Sequence, residues 1–381
     1  MNAPNGQVGV APGVSPILRH AELSGDHTTT SRPTRRSTLT ASLRNLPTVA
    51  ATRPDKQVLL TGASGFVGRR LAPVLEAVGW HVRCVSRNAA DMQRQWPERT
   101  WLQADLTQAH DLERALTGCR VAYYLVHSLG QSSHGLFVRE QAAAEMFAAA
   151  AELAGVERIV YLGAIAPQGS PSEHLRSRLE VGRVLRAGRV TTLELRASII
   201  VGFGSASWRI VRDLAARLPG MVLPRWLSSR SEPIGIDDVI IALATGARLP
   251  LPGTASFDLP GPEIMTYREL LVRTARLFGH RRLRVVDVPV LSPRLSSQWI
   301  RLVTAADWAV ARELVLGLTH DLIARSDEYW QLTAHPPLLR FDEAARSALD
   351  EEARKRQMMA GVRTLEAVVD LVAGGSPSWA T

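Results

Sequence analysis

The chain has 381 residues, 46% of them hydrophobic, and a formal net charge of +9. That length and composition exclude a disordered or fibrous chain and leave a globular protein with an ample core and room for two domains. The charge does not make a nucleic-acid binder, because Lys56 and Lys355 are the only lysines, the arginines are dispersed, and there is neither an aromatic–basic platform nor a zinc finger; an anionic ligand or a weak preference for a membrane surface accounts for it equally well.

Residues 1–52 are rich in Ser, Thr, Pro, Gly and Ala, lack a sustained apolar period, and read as a disordered basic leader, with a transit peptide as the alternative. From residue 57 the pattern alternates. Strands are predicted over 57–61, 81–86, 100–103, 120–126, 157–163 and 191–196, with helical patterns near 66–78, 108–117, 135–154 and 173–187 between them. This alternation predicts an α/β fold with a doubly wound parallel sheet, a Rossmann domain over 53–200.

Beyond residue 200 the rhythm loosens into a smaller C-terminal substrate subdomain over 201–340, interleaved with the sheet, and a helical tail over 341–381. Trp208–Leu218 reads as a helix stopped by Pro219 and Gly220, and Ile234–Leu243 enters another. Ser256–Leu259 reads as a strand. Thr266–Phe278 reads as a helix with Thr266 and Glu269 at capping-box spacing. Two amphipathic segments, 295–303 and 307–318, carry Trp299 and Trp308 and suit small-domain core, a lid over an apolar substrate, or peripheral membrane contact.

The stretch Val58–Gly68 carries the chemistry. An apolar strand breaks into glycines spaced by three, Gly62, Gly65 and Gly68, and behind them Leu71, Val74, Leu75 and Val78 form one helix face. Strand, glycine turn and helix in that order make a dinucleotide phosphate cradle: a tight turn, a close backbone approach to the pyrophosphate, and a helix N-terminus aimed at it. The expected cofactor residues here are Thr61, Gly62, Ser64, Gly65, Phe66, Val67 and Gly68.

The second strand ends Val85-Ser86-Arg87-Asn88 without the acid that accepts ribose hydroxyls in NAD binders, so Arg87 is placed to meet a 2′-phosphate. NADP(H) is the expected cofactor, with NAD(H) possible. Asp105, with Leu106 beside it, ends the third strand and suits either the adenine amino group or the cap of the following helix.

Cys84 and Cys119 are the only cysteines, which excludes a disulfide framework and points to a reducing, cytoplasmic setting. The ten histidines form no metal-ligand spacing, so no metal site is expected. Neither a run of about 18 apolar residues nor a secretory signal profile is present.

Several longer strings resemble the short-chain dehydrogenase/reductase superfamily in its atypical, NmrA-like and YbjT-like branch, relatives of an accessory subunit of complex I. They are Thr61–Gly68, Ala122–Gly130, Gly155–Gly163, Leu195–Ser207, Pro233–Val239 and Leu291–Ser297, so the resemblance spans roughly 57–325. It implies NAD(P)H binding and an oxidoreductase.

The departure from that superfamily concerns catalysis. Its active members carry Tyr-x-x-x-Lys on the helix after the fifth strand, where the lysine holds ribose and lowers the tyrosine pKa. None of the five tyrosines here has a lysine four residues on. At the expected place stand His174 and Arg178: an imidazole suited to acid–base work and a permanent cation suited to anchoring ribose. His127 and Ser128 end the fourth strand on the nicotinamide side, and His127 is a second candidate for proton transfer. Arg196, Ser198, Ser205 and Trp208 are expected to line the substrate pocket.

Two readings follow. One is an NADP(H)-dependent oxidoreductase acting on an apolar, quinone-like or lipid-like small molecule, with no nucleic-acid partner. The other is a non-catalytic NADP(H)-binding redox sensor or assembly scaffold with a protein partner.

Overall fold

The computed structural model describes residues 56–126, 136–217, 220–280, 284–288 and 320–372. The leader and the two tryptophan-bearing segments of 295–318 lie outside the described residues.

The order is β1 (Gln57–Leu60), α1 (Gly68–Ala77), β2 (His81–Ser86), α2 (Ala89–Gln95), β3 (Thr100–Gln103), α3 (Ala109–Leu116), β4 (Val121–Tyr124), α4 (Leu136–Leu153), β5 (Arg158–Ala164), α5 (Glu173–Ala187) and β6 (Thr191–Ala197). The predicted strands and helices hold their places, with ends differing by a residue or two, as element ends ordinarily do. Sequence reasoning missed α2, a short helix whose Asn88 side chain caps it by accepting from the Asp91 N–H.

After β6 come β7 (Ile200–Val201), α6 (Ala206–Arg217), β8 (Gly220–Pro224), β9 (Arg230–Ser231), β10 (Ile234–Gly235), α7 (Ile236–Gly246), β11 (Ala255–Asp258), β12 (Met265–Thr266), α8 (Tyr267–Leu277), β13 (Arg284–Val288), α9 (Glu328–Thr333) and α10 (Phe341–Val372).

Seven strands form one parallel sheet in the order β11-β6-β5-β4-β1-β2-β3. The order reverses between β1 and β4, which is the switch point of a doubly wound fold. β1 and β4 are buried along their lengths, as strands with helices on both faces must be. On one face α1 and α7 bury Leu71, Leu75, Val239 and Leu243 against Val58 and Leu60. On the other, α3, α4 and α5 bury Leu112, Phe147 and Val181 against Leu59 and Ala122. Each such side chain, taken from water, contributes roughly 1.5–3 kcal/mol before chain entropy is counted.

A separate cluster joins α6, α8 and the start of α10 through Trp208, Leu214, Leu271 and Phe341. This is the smaller C-terminal subdomain. The tail helix is anchored there, since Phe341 and Ala345 are part of that core. Conversely β11 pairs with β6, Asp258 opposite Arg196, so a segment beyond residue 250 forms the edge of the Rossmann sheet.

Pro73 sits inside α1 and lacks an N–H for the Arg69 carbonyl one turn back. The buried Arg99 donates to that carbonyl instead, at 3.3 Å. Cys84 and Cys119 are buried free thiols, pushed by burial to about 12 and about 11. Among the described residues no helix is long and apolar enough to cross a membrane, and no cluster of three or more His, Cys, Asp or Glu could hold a metal.

Candidate functional site

β1 ends at Leu60 and the chain turns at once towards α1. Gly62 makes the turn at φ 63°, and a side chain there would lie 2.6 Å from the Leu125 carbonyl oxygen. The Gly65 N–H closes the turn on the Gly62 carbonyl at 2.9 Å. A Cβ at Gly68 would stand 2.7 Å from the Ala63 Cα, so the helix start packs where only glycine fits. Thr61 is fully buried beneath the turn. Its hydroxyl donates to the Tyr123 carbonyl at 2.8 Å and accepts from the Leu125 N–H at 2.9 Å, tying the ends of β1 and β4 together.

No side chain caps the start of α1, and no acidic residue stands in its first turn. The helix dipole and its first N–H groups therefore favour an anion from outside. A close-approach turn without room for Cβ atoms, opening on an uncapped helix, fits the pyrophosphate of a dinucleotide.

The cradle opens into a cavity of about 420 Å³ at the carboxyl ends of β1, β4, β5 and β6. Its walls are mostly apolar, including Phe66, Val67, Leu125, Leu162, Leu175 and Ile199. His174 and Arg178 enter from α5, one turn apart on one face. Ser172 starts that helix by accepting from the Leu175 N–H at 3.3 Å. Arg178 donates to the carbonyls of Leu162 and Gly163, at 2.7 and 3.2 Å, and so braces the end of β5. Burial, and next the charge of Arg178, pulls the His174 pKa down to about 4, so the imidazole is neutral near pH 7. Three tyrosines, Tyr124, Tyr161 and Tyr267, also line the cavity; burial raises the pKa of each. The Tyr161 hydroxyl is committed to the Arg178 carbonyl at 2.9 Å.

The structure thus gathers Gly62, Gly65, Phe66, Val67, Gly68, His174, Arg178, Ser198 and Ser205 around one cavity. Ser198 donates to the Glu232 carbonyl at 2.6 Å, and Ser205 accepts from the Trp208 N–H at 3.3 Å, so both hydroxyls also hold local backbone. Arg87 and Asp105 stand outside that cavity, beyond neighbouring strand ends. Arg87 is exposed, and Ser64 in the cradle is exposed as well. Asp105 accepts from the Thr107 N–H and hydroxyl at 3.0 and 2.8 Å, which lowers its pKa. It does not take the expected capping role, since the N-cap of α3 is Gln108, and it closes the turn before that helix instead. Leu106 packs half-buried beside the α3–α4 core.

Two expected pocket residues stand apart. Arg196 is paired with Asp258 at 2.7 Å across the β6–β11 edge, and Trp208 is buried against Phe341 in the subdomain core. Both were placed from the chain's direction after β6; strand alternation and helix rotation turn them away. His127 and Ser128 lie outside the described residues. Sequence reasoning missed Tyr267 and Leu322, which reach the cavity from far along the chain and carry no local signal.

Residues 62–212 match the family described as NAD(P)H-binding. This chain carries an NAD(P)H-binding domain. The match begins at the cradle's first glycine and ends within α6. The chain is also 27% identical over 241 residues to a protein named ceramide reductase from Caulobacter vibrioides, covering 62% of this chain and 75% of that one. Among solved structures, the triphenylmethane reductase of Citrobacter sp., complexed with NADP(H), superposes with TM-score 0.62 at 17% identity, over 77% of this chain and 99% of that one. The UDP-glucose 4-epimerase of Thermotoga maritima, with UDP-glucose, gives 0.61 at 12% identity, over 78% and 99%. At such identities the likeness is one of fold, and the NAD(P)H-binding domain shares it with reductases and epimerases.

Proposed function

We propose that this protein is an NADP(H)-dependent oxidoreductase acting on an apolar, lipid-like small molecule. The observation that carries the reading is the continuity of the site: the phosphate cradle opens directly into a mostly apolar cavity. The relative named ceramide reductase supports a lipid-like substrate. The exposed Arg87, at the end of β2 where an acid would favour NAD, supports NADP(H).

In this reading the N–H groups of the cradle hold the pyrophosphate, and Arg87 holds the 2′-phosphate. Arg178, braced on the β5 carbonyls, presents its remaining N–H groups to ribose. The bound nicotinamide supplies a hydride to an electrophilic carbon of the substrate. His174 or His127 delivers the accompanying proton. With its pKa near 4, His174 does so as a neutral relay, giving an N–H proton on one side and regaining one from solvent at the other nitrogen. The apolar walls exclude water from the transfer.

NADPH oxidation by the purified chain against long-chain ketones, quinones and short carbonyls tests this. Turnover with the long-chain substrates, lowered at least about tenfold in a His174→Ala/His127→Ala variant, is the expected result. Turnover unchanged in that variant removes the histidines from the mechanism. One specific observation favours the alternative of a non-catalytic sensor or scaffold: the Tyr-x-x-x-Lys pair is missing. Tight NADPH binding with no turnover on any of these substrates, and a partner protein released by one redox form, would establish that alternative.

A further inference from the structure

A second hollow, of about 250 Å³, adjoins the cavity, because Gly204 and Ser205 line both. Its character is different. Arg69 from α1, Arg209 from α6 and Lys355 from α10 stand around it. Among the described residues no carboxylate lies within ion-pairing distance of these three. Their neighbours are neutralised instead: Arg70 pairs with Glu351 at 2.7 Å, and Arg212 pairs with Asp213 and Glu352.

The arrangement is built. Gly204 has φ 94°, and any side chain there would collide with the Arg69 guanidinium, so the glycine admits it. Arg69 donates to the Phe203 carbonyl at 3.1 Å. The Phe203 ring lies 5.9 Å from the Arg69 guanidinium carbon and 5.6 Å from the Lys355 Nζ, drawing both cations to one aromatic surface. Burial, and next the charge of Arg70, lowers the Arg69 pKa, with the Glu351 carboxylate acting in the opposite direction. Three elements distant in the chain thus bring like charges together, an arrangement that favours an anion between them. The nucleotide's phosphates have their own places, since neither Arg87 nor the cradle glycines line this hollow.

We infer that the hollow receives a phosphate, or an equivalent anionic headgroup, of a substrate whose apolar part fills the neighbouring cavity. The substrate class is then an acidic amphiphile. The inference rests on the oxidoreductase reading for the role of the apolar half.

The test uses the intact chain and three probes: lauroyl lysophosphatidic acid and monolauroyl glycerol, both below their micelle-forming concentrations, and inorganic phosphate. Binding is followed by calorimetry in the wild type and in an Arg209→Gln/Lys355→Gln variant, whose altered side chains are exposed and leave the core intact. NADPH affinity is measured alongside. The lysophosphatidate should bind at least about tenfold tighter than the neutral ester, and the variant should bring the two within about twofold, with NADPH affinity unchanged.

Equal affinities in the wild type, or a preference that survives the substitutions, would overturn the inference. Inorganic phosphate binding as tightly as the lysophosphatidate would make this a free-phosphate site and overturn the link to the cavity. A parallel fall in NADPH affinity would assign the hollow to the nucleotide and overturn it as well. If NADPH binds neither protein while the headgroup preference holds, the oxidoreductase reading fails and the headgroup site stands.

Discussion

A methyl group at Gly68 would lie 2.7 Å from the Ala63 Cα, inside the turn that seats α1 against β1. Gly68→Ala should therefore open the turn and weaken NADPH binding at least about tenfold, or ~1.4 kcal/mol, in a fluorescence titration. His174 makes a different prediction. Its pKa is 6.5 for a free side chain and about 4 in the folded protein. Between these values the unfolded chain binds the extra proton, so stability falls as pH drops from about 6.5 towards about 4 and is unaffected above. At about 1.4 kcal/mol per pH unit the loss has a ceiling of about 3 kcal/mol. Urea unfolding without nucleotide at pH 7 and pH 5 should show a larger loss in the wild type than in His174→Gln. The glycines were legible because a turn's steric demand is local. The neutral state of His174 was not, because it follows from burial and from the nearby Arg178.

Elements differ in the same way. α8 begins with a capping box: the Thr266 hydroxyl accepts from the Glu269 N–H at 3.1 Å, and the Glu269 carboxylate accepts from the Thr266 N–H at 2.7 Å. The spacing announced this start, since every partner lies within four residues. Thr266→Ala should cost about 1 kcal/mol in urea unfolding. The β6–α5 contact was not announced. Glu194, on a strand that reads as apolar, is buried and held by Arg186 at 2.8 Å, and burial raises its pKa. Gly163 and Gly182 leave space for its carboxylate. No periodicity signals a buried ion pair whose room is made by glycines on two other segments. Arg196 and Trp208 belong to this class too: their chain positions suggested the pocket, and their partners decide otherwise.

Across the whole molecule, the nucleotide domain is completed by chain that follows it. β11 forms the sheet edge, and α7 covers the face that carries α1. The buried Tyr123 hydroxyl donates to the Leu243 carbonyl at 2.8 Å, and that of Tyr329 donates to the Ala242 carbonyl at 2.7 Å. A fragment of residues 56–212 exposes this face and leaves the β6 edge unpaired. It should lack near-UV circular dichroism and bind no NADPH, although it contains the whole of the family match. The alternating strands and helices made the parallel sheet readable up to β6. Interleaving of the later chain with the sheet was expected, but the pairing of β11 with β6, and the return of Tyr267 and Leu322 to the cavity, were not readable, because such long-range placements leave no mark on local pattern. The most direct test is a paired titration of the intact wild type and Arg87→Ala with NADPH and NADH. NADPH should bind the wild type at least about tenfold tighter than NADH, and Arg87→Ala should remove that preference while leaving NADH affinity intact. Equal binding of the two nucleotides by the wild type, or binding of neither, would contradict an NADP(H) site on this cradle.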